Sequence, residues 1–246
     1  PGVNVSYLAM NFRNPKLADL RVRQAIALAI NIDEVLKYRF VGCYRATGLL
    51  GPIHSDYEAQ TTNYNLDLSR AENLLDTAGF RKNADGLRLT LEFKTTGDKT
   101  ALDFARILSE SLRKIGIGLK IRTSEFGTFY SDIKQGNFEL YTSRWIGISN
   151  PSIFYRVFHS SQIGKLNRGA YRNPALDRLL DQAMVEPQDM KRRELFSKVQ
   201  KIVADDLPYI FLWHWNNTFI GSRDMKDVVM YPNGNYITLA NLVRNP

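Results

Sequence analysis

Arg144 and Trp145 end the extended run from Phe138 to Arg144 and begin the segment Arg144-Trp145-Ile146-Gly147-Ile148-Ser149-Asn150-Pro151. A guanidinium beside an indole offers a charged donor and a stacking face, which is the chemistry of holding a small ligand. Aromatic residues gather around the pair, with Phe126, Phe129 and Tyr130 before it and Tyr155 and Phe158 after it. The competing reading is that Trp145 fills core and Arg144 is an ordinary surface charge. The pattern alone leaves both open.

Catalytic chemistry finds less support. There is no Gly-x-Ser-x-Gly elbow, no phosphate-binding loop and no His-Glu-x-x-His pair. Gly116-Ile117-Gly118 lacks a third glycine and reads as a helix end followed by a strand. His54, His159 and His214 lie in three separate segments without ligand spacing, which favours structural roles. Cys43 follows Gly42 in a loop and reads as an incidental small residue. Asp205-Asp206 falls at a helix C-terminus, where the dipole disfavours acids, and is expected to face solvent. These residues point to a non-catalytic protein without metal or cofactor.

The 246 residues carry 33 Lys+Arg against 25 Asp+Glu, a formal charge of +8. Acids interleave with the bases, and the short clusters at Arg21–Arg23 and Lys191-Arg192-Arg193 do not form a basic stripe. Nucleic acid is therefore not the expected partner. The apolar runs at Ala25–Ile30 and Tyr209–Trp213 are far shorter than the roughly 20 residues of a membrane span. A single cysteine excludes an internal disulfide and a cysteine-rich zinc module. The chain opens on Pro1 without a charged-then-apolar leader, as expected of a processed or excised piece.

Periodicity supplies the scaffold. Alternation predicts a strand over residues 4–11, and Asp19 caps a helix whose apolar positions Val22, Ala25, Ile26, Ala29 and Ile30 share a face. Asn31 with Glu34 reads as a capping box opening a short helix through Phe40, and residues 43–65 read as loop. Asp67 caps a helix ending at Gly79. Leu87, Leu89, Leu91 and Phe93 alternate as a strand; a helix to Ile115 and the strand Ile117-Leu119-Ile121 complete a βαβ unit with parallel strands. Helices are further expected from Phe126 to Lys134, from Asn173-Pro174 to Val185, and from Met190 to Asp205. Beyond Pro208 the chain is aromatic and strand-like. The class is α/β. Ligands on such sheets bind outside the carboxyl ends of the strands, where Arg144 and Trp145 fall.

Five segments together resemble the C-terminal half of the family 5 extracellular solute-binding proteins, the peptide and dipeptide receptors of bacterial ABC importers. They are Leu20-Arg21-Val22-Arg23-Gln24-Ala25 with Ala29-Ile30-Asn31, and the Asp67 to Gly79-Phe80 helix. Glu125 to Tyr130 with Gly136-Asn137-Phe138-Glu139 is the third, Trp145-Ile146-Gly147 with Asn150-Pro151 the fourth, and Asn173 to Asp177 with Leu180 and Ala183 the fifth. The resemblance runs over nearly the whole chain. It implies the C-terminal lobe of a two-lobed, type II clamshell periplasmic-binding-protein fold. Residues 1–206 would form the ligand-binding lobe from a hinge strand onward, and residues 207–246 a tail returning toward an N-terminal lobe outside this chain.

The implied function is capture of an oligopeptide or related small molecule and its delivery to importer permease subunits. The implied location is the periplasm, or a lipid anchor on the outer face of the cytoplasmic membrane. A regulator's sensor domain and a carboxylate-dependent hydrolase are the alternative readings. Arg144, Trp145, Gly147, Ile148, Ser149, Asn150, Phe126 and Tyr130 are the expected ligand contacts. One departure matters: the family's peptide binders place an Asp after the Trp for the ligand's amino group, and residues 146–150 hold no acid. The amine is then held from elsewhere, or the ligand lacks it. A lobe without its neighbour exposes strand edges, so self-association is expected; a monomeric mass by light scattering at high concentration counts against it.

Overall fold

The computed structural model describes residues 1–222, 225–226, 228–235, 237 and 243–244. The elements run β1 (Val5–Met10), α1 (Pro15–Ala18), α2 (Leu20–Ala29), α3 (Ile32–Tyr38), β2 (Tyr44–Arg45), α4 (Leu68–Thr77), β3 (Leu89–Thr96), α5 (Lys99–Arg113) and β4 (Ile117–Ser124). There follow α6 (Phe126–Gln135), β5 (Leu140–Trp145), α7 (Ile153–Phe158), α8 (Pro174–Val185), α9 (Asp189–Asp206), β6 (Tyr209–His214), β7 (Met225–Lys226) and β8 (Val243–Arg244).

Helix starts are set by side chains that accept the first unmade amide bonds. Asp19 accepts from the Arg21 amide, Asn31 from Glu34, Asp67 from Arg70, and Asn173 from Ala175 and Leu176. Asp98 and Glu125 cap α5 and α6 in the same way. Helix α6 stops at Gly136, whose φ of +78° is the left-handed conformation that glycine adopts without strain. A Cβ there would also come within 2.7 Å of Arg13 Nη1.

Six strands form one mixed sheet in the order β2-β6-β1-β5-β3-β4. The expected βαβ unit is present, with β3 and β4 parallel across α5. Strand β1 lies between β5 and β6, antiparallel to both, and is buried along its whole length. Its side chains alternate between two cores. Leu8 and Met10 join α2, α4 and α5 on one face, while Val5, Tyr7 and Ala9 join α6, α7, α8 and α9 on the other. Helices on both sheet faces give an α/β/α sandwich.

Three expectations change. Within the segment read as loop, Tyr44 and Arg45 pair with His214 and Trp213, because the outer edge of β6 leaves backbone groups to satisfy. Leu87 is not in β3: its amide donates to Asn83 Oδ1 and its carbonyl accepts from the Asn83 amide, which commits it to the preceding turn. Asp206 does not face solvent freely, since it accepts from the Tyr171 hydroxyl and from Asn173 Nδ2. Tyr209–His214, in the expected tail of residues 207–246, forms β6, an internal strand of the sheet. Part of the expected tail lies outside the described residues.

Candidate functional site

The carboxyl ends of β3 and β5 open onto a cleft of about 490 Å³, walled by Thr95, Thr96, Asp98, Phe126, Arg144 and Trp213 among others. Sheet register assembles its floor. Arg144 of β5 and Trp213 of β6 both pair with Ser6 of the strand between them, so three side chains stand in a row on one face. Trp215, two residues beyond Trp213, donates its indole N–H to Ser6 Oγ at 2.8 Å. The Arg144 guanidinium lies 4.0 Å from the centre of that indole ring. Desolvation there lowers the Arg144 pKa. The cleft thus offers one cation flattened on an aromatic face, and one acid, Asp98, which also caps α5 through Oδ1.

The pleat separates the residues that spacing had grouped. Successive strand residues point to opposite faces, so Trp145 does not share the cleft wall with Arg144. Its ring stacks on Tyr7 at 6.0 Å, and Tyr7 stacks on Tyr209 at 4.2 Å. Ile148 is buried in that second core. Gly147 has a φ of +68°, and its amide donates to Asn4 Oδ1. Tyr130 stacks on Phe126, which links the cleft to the Trp145 side.

Ser149 and Asn150 line a different groove of about 510 Å³, together with His54, Asp56 and Arg192. The Asp56 amide donates to His54 Nδ1, which leaves the proton on Nε2 to be donated to the Ser149 carbonyl. His54 is thereby a clamp on the loop after Trp145. His159 accepts the Ser161 amide and begins a short 3₁₀ turn, and His214 is buried. Among the described residues, no group of three or more His, Cys, Asp or Glu is arranged to hold a metal ion.

Thr95, Thr96, Asp98, Trp213 and Trp215 were not among the residues expected from the sequence. Trp213-x-Trp215 did carry a signal, since alternation in a strand puts both indoles on one face. Nothing local in the sequence marked which strand would lie beside them.

The family model described as bacterial extracellular solute-binding proteins, family 5 Middle, matches residues 1–165. The chain belongs to this family. Family 5 relatives include the dipeptide-binding protein of Escherichia coli (strain K12), 26% identical over 242 residues and covering 96% of this chain and 45% of that protein. The probable ABC transporter periplasmic-binding protein SapA of the same organism is 28% identical over 244 residues, covering 96% and 44% respectively. Among solved structures, the oligopeptide-binding protein AppA from Bacillus subtilis in complex with a nonapeptide superimposes with a TM-score of 0.86 at 22% identity, over all of this chain and 51% of that one. DppA from Helicobacter pylori in complex with the peptide STSA gives 0.81 at 25% identity, over 96% of this chain and 46% of that one. The chain spans a little under half the length of these curated relatives. Its fold is part of the two-lobed solute-binding-protein fold. No helix among the described residues is long and apolar enough to cross a membrane.

Proposed function

We propose that this chain is one lobe of a receptor that binds an oligopeptide or related small molecule and passes it to the permease subunits of an ABC importer. The cleft at the ends of β3 and β5 carries the reading, because it joins a cation, an acid and aromatic walls without a nucleophile-base pair. Asp98 answers the departure noted after Trp145: a ligand ammonium can pair with an acid from the start of α5 instead of one from the loop. Family membership and the names of the peptide-binding relatives support the same reading. Strand β6 belongs to this lobe, and the chain beyond Trp215 is the segment assigned to contact a second lobe. Closure of the two lobes would desolvate the ligand and strengthen its polar contacts. The site of action is the periplasm or the outer face of the cytoplasmic membrane.

The test is native mass spectrometry of the full-length receptor, with any small molecule released from it identified. A bound peptide supports the proposal; a receptor that captures nothing from peptide mixtures contradicts it. Arg144→Ala is expected to weaken binding of the captured ligand by about tenfold or more, the weight of one charge-assisted hydrogen bond. Unchanged affinity in calorimetric titration removes Arg144 from the site.

A further inference from the structure

We propose that Arg168 is a second anion-recognising residue of the ligand site, placed behind the Phe126–Tyr130 stack to take a ligand carboxylate. The inference rests on the receptor reading above and concerns the ligand's chemistry.

Two buried arginines make the contrast. Arg23 is 4% exposed and its three nitrogens all donate to backbone carbonyls. Arg168 is 7% exposed, yet the acceptors beside its guanidinium are phenols, with Nη2 donating to the Tyr130 hydroxyl at 3.3 Å. Its Nε is buried with no partner. No ion pair engages it among the described residues.

What surrounds it is neutral. The Tyr141 hydroxyl lies beside the guanidinium as a second neutral phenol. Burial raises the pKa values of Tyr7, Tyr141 and Tyr209, so none of the three supplies a negative charge at working pH. The faces of Tyr130 and Trp145, 5.2 and 5.9 Å from the guanidinium carbon, give the cation only partial compensation. A buried cation without a counter-charge is costly, and an arriving anion removes that cost.

The location suits a ligand. Tyr130 is 40% exposed and stacks on Phe126, a wall of the cleft. A carboxylate that displaces the Tyr130 hydroxyl from Nη2 replaces a neutral acceptor with a charged one. One guanidinium balances the single charge of a carboxylate, whereas a phosphate dianion leaves charge buried.

The experiment presents the full-length receptor with a library of random tetrapeptides, half as free acids and half as C-terminal amides, and counts captured members by native mass spectrometry. The wild type is expected to favour the acids by about tenfold or more. Arg168→Met is expected to lose that preference and still capture amides, while Arg144→Ala retains some of it. Retention of the full preference by Arg168→Met overturns the proposal, as does its loss on Arg144→Ala alone. A wild type that binds both forms equally overturns it while leaving the receptor reading intact. A wild type that captures neither form ends both. Arg168→Lys, read alongside a thermal midpoint, separates loss of the fork from failure to fold, and the wild-type acid-to-amide ratio needs no variant at all.

Discussion

Replacing Arg23 with Met is expected to cost about 4 kcal/mol of stability, a drop of about 12 °C in Tm for a chain of this size. The side chain joins two helix ends. Nη1 donates to the Leu17 and Ala18 carbonyls at the end of α1, at 2.9 and 2.8 Å, and Nε and Nη2 both donate to the Asp206 carbonyl at the end of α9. Phe12 covers the guanidinium at 4.4 Å. Desolvation lowers its pKa to about 10, so the group stays charged at neutral pH. Methionine keeps much of the volume and none of the donors, leaving three carbonyls without their partner where water has little access. Asp206 is further fixed by Tyr171 and Asn173, so the loss spreads to the start of α8. Urea unfolding measures it; a change below about 1 kcal/mol would mean that water reaches those carbonyls.

The second large effect is acid sensitivity from His214. The ring is 1% exposed and stacks on Tyr44. Desolvation lowers its pKa to about 4 from an ordinary 6.5. The unfolded chain therefore takes up a proton below pH 6.5 that the folded chain refuses until about pH 4. Its contribution is fully present above pH 6.5, falls through that interval, and levels off below it. The integrated loss is about 3 kcal/mol. His214→Phe keeps an aromatic ring against Tyr44 and removes the titration. Its stability is expected to decline less than that of the wild type between pH 6.5 and 4. Parallel curves for the two proteins would mean that His214 protonates in place.

Local rules were enough where one residue decides one feature. Asn173-Pro174 opens α8 at its observed start, Asp67 opens α4, and the alternation of Leu89, Leu91 and Phe93 is that of β3. The βαβ unit followed from short links between those elements. The site was less legible because it depends on strand neighbours remote in sequence. Arg144 and Trp145 were seen together, but only a pleated strand with β1 beside it shows that they serve different faces. Arg168 sits in an irregular segment before α8, where no periodicity predicts burial, so its isolation from acids emerges only in three dimensions. Asp98 caps α5 in the structure, and its place in the cleft depends on where α5 begins relative to the end of β3.

The seam between β1 and β6 joins Val5 to His214, nearly the whole length of the sheet-forming chain. A polypeptide synthesised from its amino end holds β1 long before β6 exists, and that strand is buried on both faces once folded. The sheet therefore closes late, after the remote partner has been made, as expected for high contact order. Until then the nascent chain has only the β5 side of β1 to pair with. The same seam that buries the heart of the lobe thus delays its completion.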